Sequence, residues 1–218
     1  MTTDEGEGAV DPDEVADPAL GDPDDWDPWT PAELADRLRG TEVPWCVTAG
    51  WAIDLFLGRR TRDHEDLEVA IPDSAWPEIH ERLSELDFVV AGPRILRPLT
   101  DETLAGHFQT WGRDTTGAFK VDVFRDAHEG GTWICKRATS IRMPYAELIR
   151  CTDDGIPYMA PHVVLLFKAK HAREKDVADL ENCLPLLTDA EVAWLADGIA
   201  RIHPGHAWLE RLEQPRRD

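Results

Sequence analysis

Asp66-Leu67-Glu68-Val69-Ala70-Ile71 sets acids against apolar residues in strict alternation. Successive side chains of an extended strand leave opposite faces, so Leu67, Val69 and Ile71 point one way while Asp66 and Glu68 point the other. A strand with one apolar face belongs to a sheet covered on that side. The helix that covers it is expected next in the chain, over 74–86, with Ile79, Leu83 and Leu86 at core spacing. A second stretch, Lys120-Val121-Asp122-Val123-Phe124, repeats the pattern with Val121 and Val123 inward and Asp122 outward. If the two strands pair, three carboxylates converge on one face.

Upstream, Trp45-Cys46-Val47-Thr48 reads as a short buried strand closed by Ala49-Gly50. A compact helix from Trp51 to Leu57 follows and stops at Gly58, a usual residue just past a helix end. Further back, Thr30-Pro31-Ala32-Glu33 carries a capping box and a proline at the first helical position, opening a helix through Arg39. Downstream, Phe88-Val89-Val90, roughly 107–111, 119–124 and 132–136 read as strands, mostly antiparallel given the short links. Past Pro144 the pattern becomes helical: 161–171, 174–184, 189–202 and the stretch after Pro204. The fold class expected is α/β (α+β): a small mixed sheet with helices over residues 30–142, then a helical bundle over 143–218.

Eleven Asp and Glu and no Lys or Arg lie between Met1 and Thr30, more than half of the net charge of −20. This Asp-, Glu-, Pro- and Gly-rich segment reads as a disordered tail over 1–29, with little to bury before Trp26 and Trp29. An acidic surface repels nucleic-acid phosphates and tolerates cations, so nucleic acid is a disfavoured partner. No run of about 18 apolar residues is present, which argues against a membrane span. The N-terminus lacks the basic-then-apolar pattern of a signal peptide. Four cysteines lie far apart with no CxxC pair, so a reduced, cytoplasmic setting is expected.

The acids carry the chemistry. Nucleotidyl transfer asks a protein mainly for positioning and charge neutralisation, and two divalent ions roughly 3.5–4 Å apart can clamp the attacking and leaving oxygens. Mg²⁺ prefers hard oxygen ligands and takes a few carboxylates together with phosphate and water. Asp66 and Glu68, at i and i+2, meet that need, and Asp122 can share an ion and accept the proton of an attacking hydroxyl. Gly50 and the amides at Trp51 offer a cradle for phosphate at a helix start. Arg62 and Lys168 are candidate cations for the triphosphate. Each feature has a bland counterpart: alternating acids on a solvated face, a glycine in a turn, a lysine on a wetted helix. Their conjunction in this order raises the functional reading above those.

The stretches Thr48-Ala49-Gly50-Trp51-Ala52-Ile53-Asp54-Leu55-Phe56-Leu57-Gly58 and Arg62-Asp63-His64-Glu65-Asp66-Leu67-Glu68-Val69 resemble the signature of aminoglycoside nucleotidyltransferases. The 2″-adenylyltransferase type, within the DNA polymerase β-like superfamily, is the nearest pattern. The resemblance implies that Asp66 and Glu68 hold metal and that Asp122 is the third, catalytic acid. It further implies Mg²⁺, ATP or another nucleoside triphosphate as co-substrate, and a small polar, aminoglycoside-like acceptor. Three positions depart from it: Ala49 where Gly is usual, Glu68 for the second Asp, and His162 where Glu is expected. Two alternatives stay open: transfer to tRNA or protein, and a non-catalytic nucleotide-binding module, which Ala49 and Glu68 would favour.

Overall fold

The computed structural model of the chain describes residues 17–92 and 95–214. They form two compact units, one from the residues up to Trp45 with His64–His128, the other from Cys46–Asp63 with Glu129 onward.

The first unit is built on a mixed sheet in the order Glu68–Pro72, Phe119–Asp126, Gln109–Arg113, Asp87–Gly92, Ile95–Pro98. Strands Glu68–Pro72 and Phe119–Asp126 run parallel with Glu68 opposite Asp122 and Val69 opposite Val123. The Asp122 N–H donates to the Leu67 carbonyl at 2.8 Å. The other neighbours in this sheet are antiparallel. Leu67, Val69, Ile71, Val121 and Val123 are all buried, as the alternation requires. The covering helix is shorter than expected, Trp76–Arg82, but Ile79, Leu83 and Leu86 are buried as read.

The tail reading needs correction. Residues 1–16 lie outside the described residues, but 17–29 dock on this sheet. Asp27 N–H donates to the Phe119 carbonyl, Phe119 N–H to that of Asp25, and Trp29 N–H to that of Lys120. Leu20 and Trp26 pack with Trp111 against Val89, Ala91, Leu96 and Phe119. The average composition hid two apolar side chains, whose burial works with the sheet hydrogen bonds against the cost of ordering the segment. The helix that follows, Pro31–Arg37, opens on the expected capping box of Thr30 and Glu33.

In the second unit, strand Cys46–Val47 pairs in parallel with Pro157–Met159, Val47 opposite Tyr158. Ile149–Cys151 lies antiparallel on the other side of Pro157–Met159. Helix Ala49–Leu57 packs on helices Pro161–Lys168 and Glu174–Cys183. This packing is why the chain does not divide simply at 143: residues 46–63 belong with the C-terminal segment. Asp189–Ile202 and Trp208–Glu213 are helical, as expected. The stretch just past Pro144 is not purely helical. Its strands are three residues long and interrupted by Pro and Gly, too short to show a period.

Candidate active site

Asp122 is buried, with 3% of its surface exposed. Its Oδ2 accepts from Gln109 Nε2 at 2.5 Å, while its Oδ1 is shielded and has no hydrogen-bond partner. Burial first, then the neighbouring Glu68 carboxylate, pushes Asp122 well above the ordinary carboxylate range. Asp66 adds to the rise, while donation from Gln109 opposes it, as, more weakly, does the nearby Trp111 indole N–H. The three sequence-selected acids are therefore electrostatic neighbours in one unit. Asp66 and Glu68 are half-buried just before and at the start of their strand.

Among the described residues no three His, Cys, Asp or Glu side chains stand as a ready-made metal cage. What the acids do form is a set of like charges around an orphaned, buried carboxylate oxygen. A buried unpaired acceptor costs free energy that a cation would offset. An all-carboxylate donor set is the kind that hard divalent ions select. On both counts the residues fit a divalent cation.

The remaining candidates lie in the second unit. Thr48 is extended, and Ala49 opens the helix with φ of +52°. The backbone does not avoid the left-handed region that Ala49 disfavours; it adopts the conformation a glycine would take. Gly50 follows, buried, in the first turn. An L-residue pays roughly 1 kcal/mol or more in that region. Ala49→Gly is therefore expected to raise stability by about 1 kcal/mol, less the added flexibility of the unfolded chain. Urea denaturation measures it, and an unchanged or lower midpoint would deny the strain.

Trp51 is half-buried, with the Arg60 guanidinium 5.4 Å over its ring. It lines a cavity of about 540 Å³ with Phe56, Arg59, Arg60, Asp153 and Tyr158 among others. Arg62 and Lys168 converge on one buried carboxylate: Lys168 Nζ lies 2.8 Å and Arg62 Nη2 3.9 Å from Asp179 Oδ2. Lys168 also lies 3.3 Å from Asp176, and its side chain is only 9% exposed. Its charge is thus compensated twice within the unit. The more exposed and more distant Arg62 is held less tightly.

His162 is buried edge-on to Trp194, ring centroids 5.0 Å apart. Its Nδ1 is 3.4 Å from Glu191 Oε1 and has no hydrogen-bond partner. Burial, reinforced by Arg150 and opposed by Glu191, lowers it to about 4. Sequence reasoning passed over Gln109 and Trp111. Their signal was faint: two polar-capable side chains at i and i+2 on the strand preceding that of the third acid.

Comparison with known proteins bears on the fold and on the stretch that carries the paired acids. Residues 32–98 match the family model of aminoglycoside-2″-adenylyltransferase. The crystal structure of ANT(2″)-Ia in complex with adenylyl-2″-tobramycin aligns with a TM-score of 0.54 at 14% identity, over 78% of this chain and 95% of that one. The solution structure of ANT(2″)-Ia aligns with a TM-score of 0.51 at 14% identity, over 83% and 92%. The lincomycin-bound lincosamide antibiotic adenylyltransferase LnuA reaches 0.49 at 14% identity, over 72% and 95%. No curated protein sequence matches the chain. At these identities structural likeness speaks for the fold, which is the expected mixed α/β, polymerase β-like one. The family match crosses the paired acids but spans under a third of the chain, and likens that stretch to aminoglycoside-2″-adenylyltransferase. The matched stretch includes the signature at Thr48–Val69 on which the resemblance rests. Among the described residues no helix is long and apolar enough to cross a membrane.

Proposed function

We propose that the chain transfers a nucleoside monophosphate, AMP from ATP, to a hydroxyl of a small polar, cationic acceptor, with Mg²⁺ as the divalent ion. The observation that carries this reading is the register of Glu68 opposite Asp122, which leaves Asp122 Oδ1 unpartnered beside two further acids. Asp66, Glu68 and Asp122 would hold the metal, which when bound offsets their charge and that of the phosphates. The acceptor oxygen forms a bond to the α-phosphorus, the bond from that phosphorus to pyrophosphate breaks, and the hydroxyl proton passes to Asp122. The amides at Gly50 and Trp51, with Arg62 and Lys168, are the groups proposed for the triphosphate. Arg62 has the smaller compensation to give up.

Two features support a cationic acceptor. The described arm exposes Asp22, Asp24, Asp25 and Asp27 on the same unit as the three acids. The chain as a whole carries −20, a field that concentrates ammonium-bearing molecules and repels RNA. The non-catalytic alternative drew on Ala49 and Glu68, but Ala49 takes the glycine-like conformation, so only Glu68 still favours it.

The test is incubation with each nucleoside triphosphate, Mg²⁺ and a panel of aminoglycosides, lincosamides and polyamine alcohols, read by pyrophosphate release and mass spectrometry. A nucleotide adduct on a cationic small molecule is expected; an adduct on RNA or protein, or none at all, would overturn the assignment. Glu68 gives a finer check in the same assay. Glu68→Gln should cost at least about a hundredfold by removing a ligand charge, whereas Glu68→Asp, one methylene shorter, should stay within about tenfold of wild type or exceed it. Equal losses in the two would deny that the charge at 68 is what counts.

A further inference from the structure

We propose that the N-terminal arm is a working part of the catalytic sheet: Trp26 braces Trp111, and Trp111 together with Gln109 sets the orientation of Asp122. The proposal rests on the reading of Asp122 given above, and extends it to three residues that positioned no atom in that scheme.

Asp122 and Trp111 are cross-strand partners, so both side chains leave the same face of the sheet. Gln109, two residues before Trp111, leaves that face as well and donates its amide N–H to Asp122 Oδ2. The Trp111 indole N–H is shielded and without a hydrogen-bond partner of normal geometry, as is Asp122 Oδ1. A buried carboxylate gripped at one oxygen presents the other in a fixed direction. That is what an attacking hydroxyl requires, since misplacement by an ångström is costly.

Trp111 itself is only half-buried, so something must hold its ring. Trp26 does so edge-on, ring centroids 5.0 Å apart, while also contacting Phe119 at 5.4 Å. Trp26 is pinned in turn. Its indole N–H donates to the Pro23 carbonyl at 3.0 Å. The backbone on either side of it is tied to the start of the Asp122 strand through Phe119. Asp27 pairs with Lys120 at 2.5 Å, two residues before Asp122. The path is short and wholly within one unit: arm, Trp26, Trp111, Asp122. Trp29 belongs to the same arm and also hydrogen-bonds through its N–H to Lys120, but its ring lies 3.8 Å beneath the Arg37 guanidinium. It is a natural control for mere loss of arm stability.

The experiment uses the full chain and the variants Trp26→Ala, Trp26→Phe, Gln109→Leu and Trp29→Ala. It reads kcat and nucleotide KM in the transfer assay, Mn²⁺ binding by electron paramagnetic resonance, and thermal melting. Trp26→Ala and Gln109→Leu are expected to lower kcat at least tenfold with nucleotide KM within twofold, and to weaken Mn²⁺ binding severalfold. Trp26→Phe should restore most of both. Trp29→Ala, at a comparable loss in Tm, should leave kcat and Mn²⁺ binding near wild type. The proposal is overturned if Trp26→Ala merely tracks Trp29→Ala, or if Mn²⁺ binding is unchanged in both Trp26→Ala and Gln109→Leu. A wild-type chain that binds Mn²⁺ but transfers nothing would sink the assigned activity while the Mn²⁺ titration still judged the brace. One that does neither removes both.

Discussion

Asp122→Asn is expected to reduce nucleotidyl transfer by about a thousandfold or more while making the metal-free fold slightly more stable. The first half follows from the role proposed for it: a base and ion ligand replaced by a neutral amide leaves the hydroxyl proton without a destination. The second half follows from its surroundings. Burial and the Glu68 carboxylate hold Asp122 well above the ordinary carboxylate range, so at neutral pH the folded state either keeps a charge it disfavours or takes up a proton that the unfolded chain releases, and either costs stability. A group whose proton affinity is higher in the folded than in the unfolded chain penalises folding above its folded pKa, and the penalty fades as pH falls toward the unfolded value. Asparagine has the same shape and keeps an acceptor for Gln109, so the variant loses the penalty and retains the contact. A rise of a few degrees in Tm corresponds to about 1 kcal/mol in a chain of this size. Pyrophosphate release and thermal melts in EDTA at pH 7.5 measure both halves. Full activity would remove Asp122 from the chemistry. A clear drop in Tm would make it a structural acid, whose Gln109 bond outweighs its desolvation.

The two acid-bearing strands were legible because a half-buried strand shows its face in every second residue. Leu67, Val69 and Ile71, and Val121 and Val123, are buried as the alternation demands. Their adjacency was not legible: pairing depends on chain reversals elsewhere, and no local pattern in 72–118 specifies that these two strands lie side by side and parallel. Period-based reading failed where elements are short, as at Ile149–Cys151 and Pro157–Met159. It failed differently at the arm. There, eleven acids dominate a composition average, whereas order depends on where one tryptophan sits and which carbonyls its neighbours reach.

The charges of the site were easier to find than its supports. Asp66, Glu68 and Asp122 announce themselves through carboxylates on otherwise apolar strands. Gln109 is neutral, and only the register brings it to Asp122. Lys168 shows the converse. A basic residue on a helix near the end of a nucleotidyltransferase signature reads naturally as a phosphate ligand, yet buried acids eight and eleven residues on already meet it. Asp176 and Asp179 were visible in the sequence; which way they faced was not.

His162 should make the fold lose stability as pH falls from about 6.5 to about 4, by about 3 kcal/mol if it acts alone. Its imidazole is held neutral down to about 4, chiefly by burial, with Arg150 acting the same way and Glu191 only partly compensating. The sign is the reverse of the common one for a histidine that gains a partner. Above 6.5 the ring is neutral folded and unfolded, and contributes no pH dependence. Between 6.5 and 4 the unfolded chain takes up a proton that the folded chain refuses, which favours unfolding. Below 4 both states are charged and the loss is complete. The ring's position at the start of helix Pro161–Lys168 adds to the refusal, since the positive end of the helix disfavours a cation. Asp122 works the other way as pH falls, and His203, also lowered by burial and nearby cations, works the same way. The absolute slope therefore mixes several groups, and the informative quantity is a difference. His162→Gln keeps a polar side chain that cannot titrate, so the wild type should lose more stability than the variant between pH 7 and pH 4.5, by about 2–3 kcal/mol. Urea unfolding at steps of half a pH unit measures it. Parallel curves would show that His162 takes its proton in the fold as readily as in the open chain. Water or a shifted Glu191 would then be satisfying the Nδ1 that otherwise has no partner.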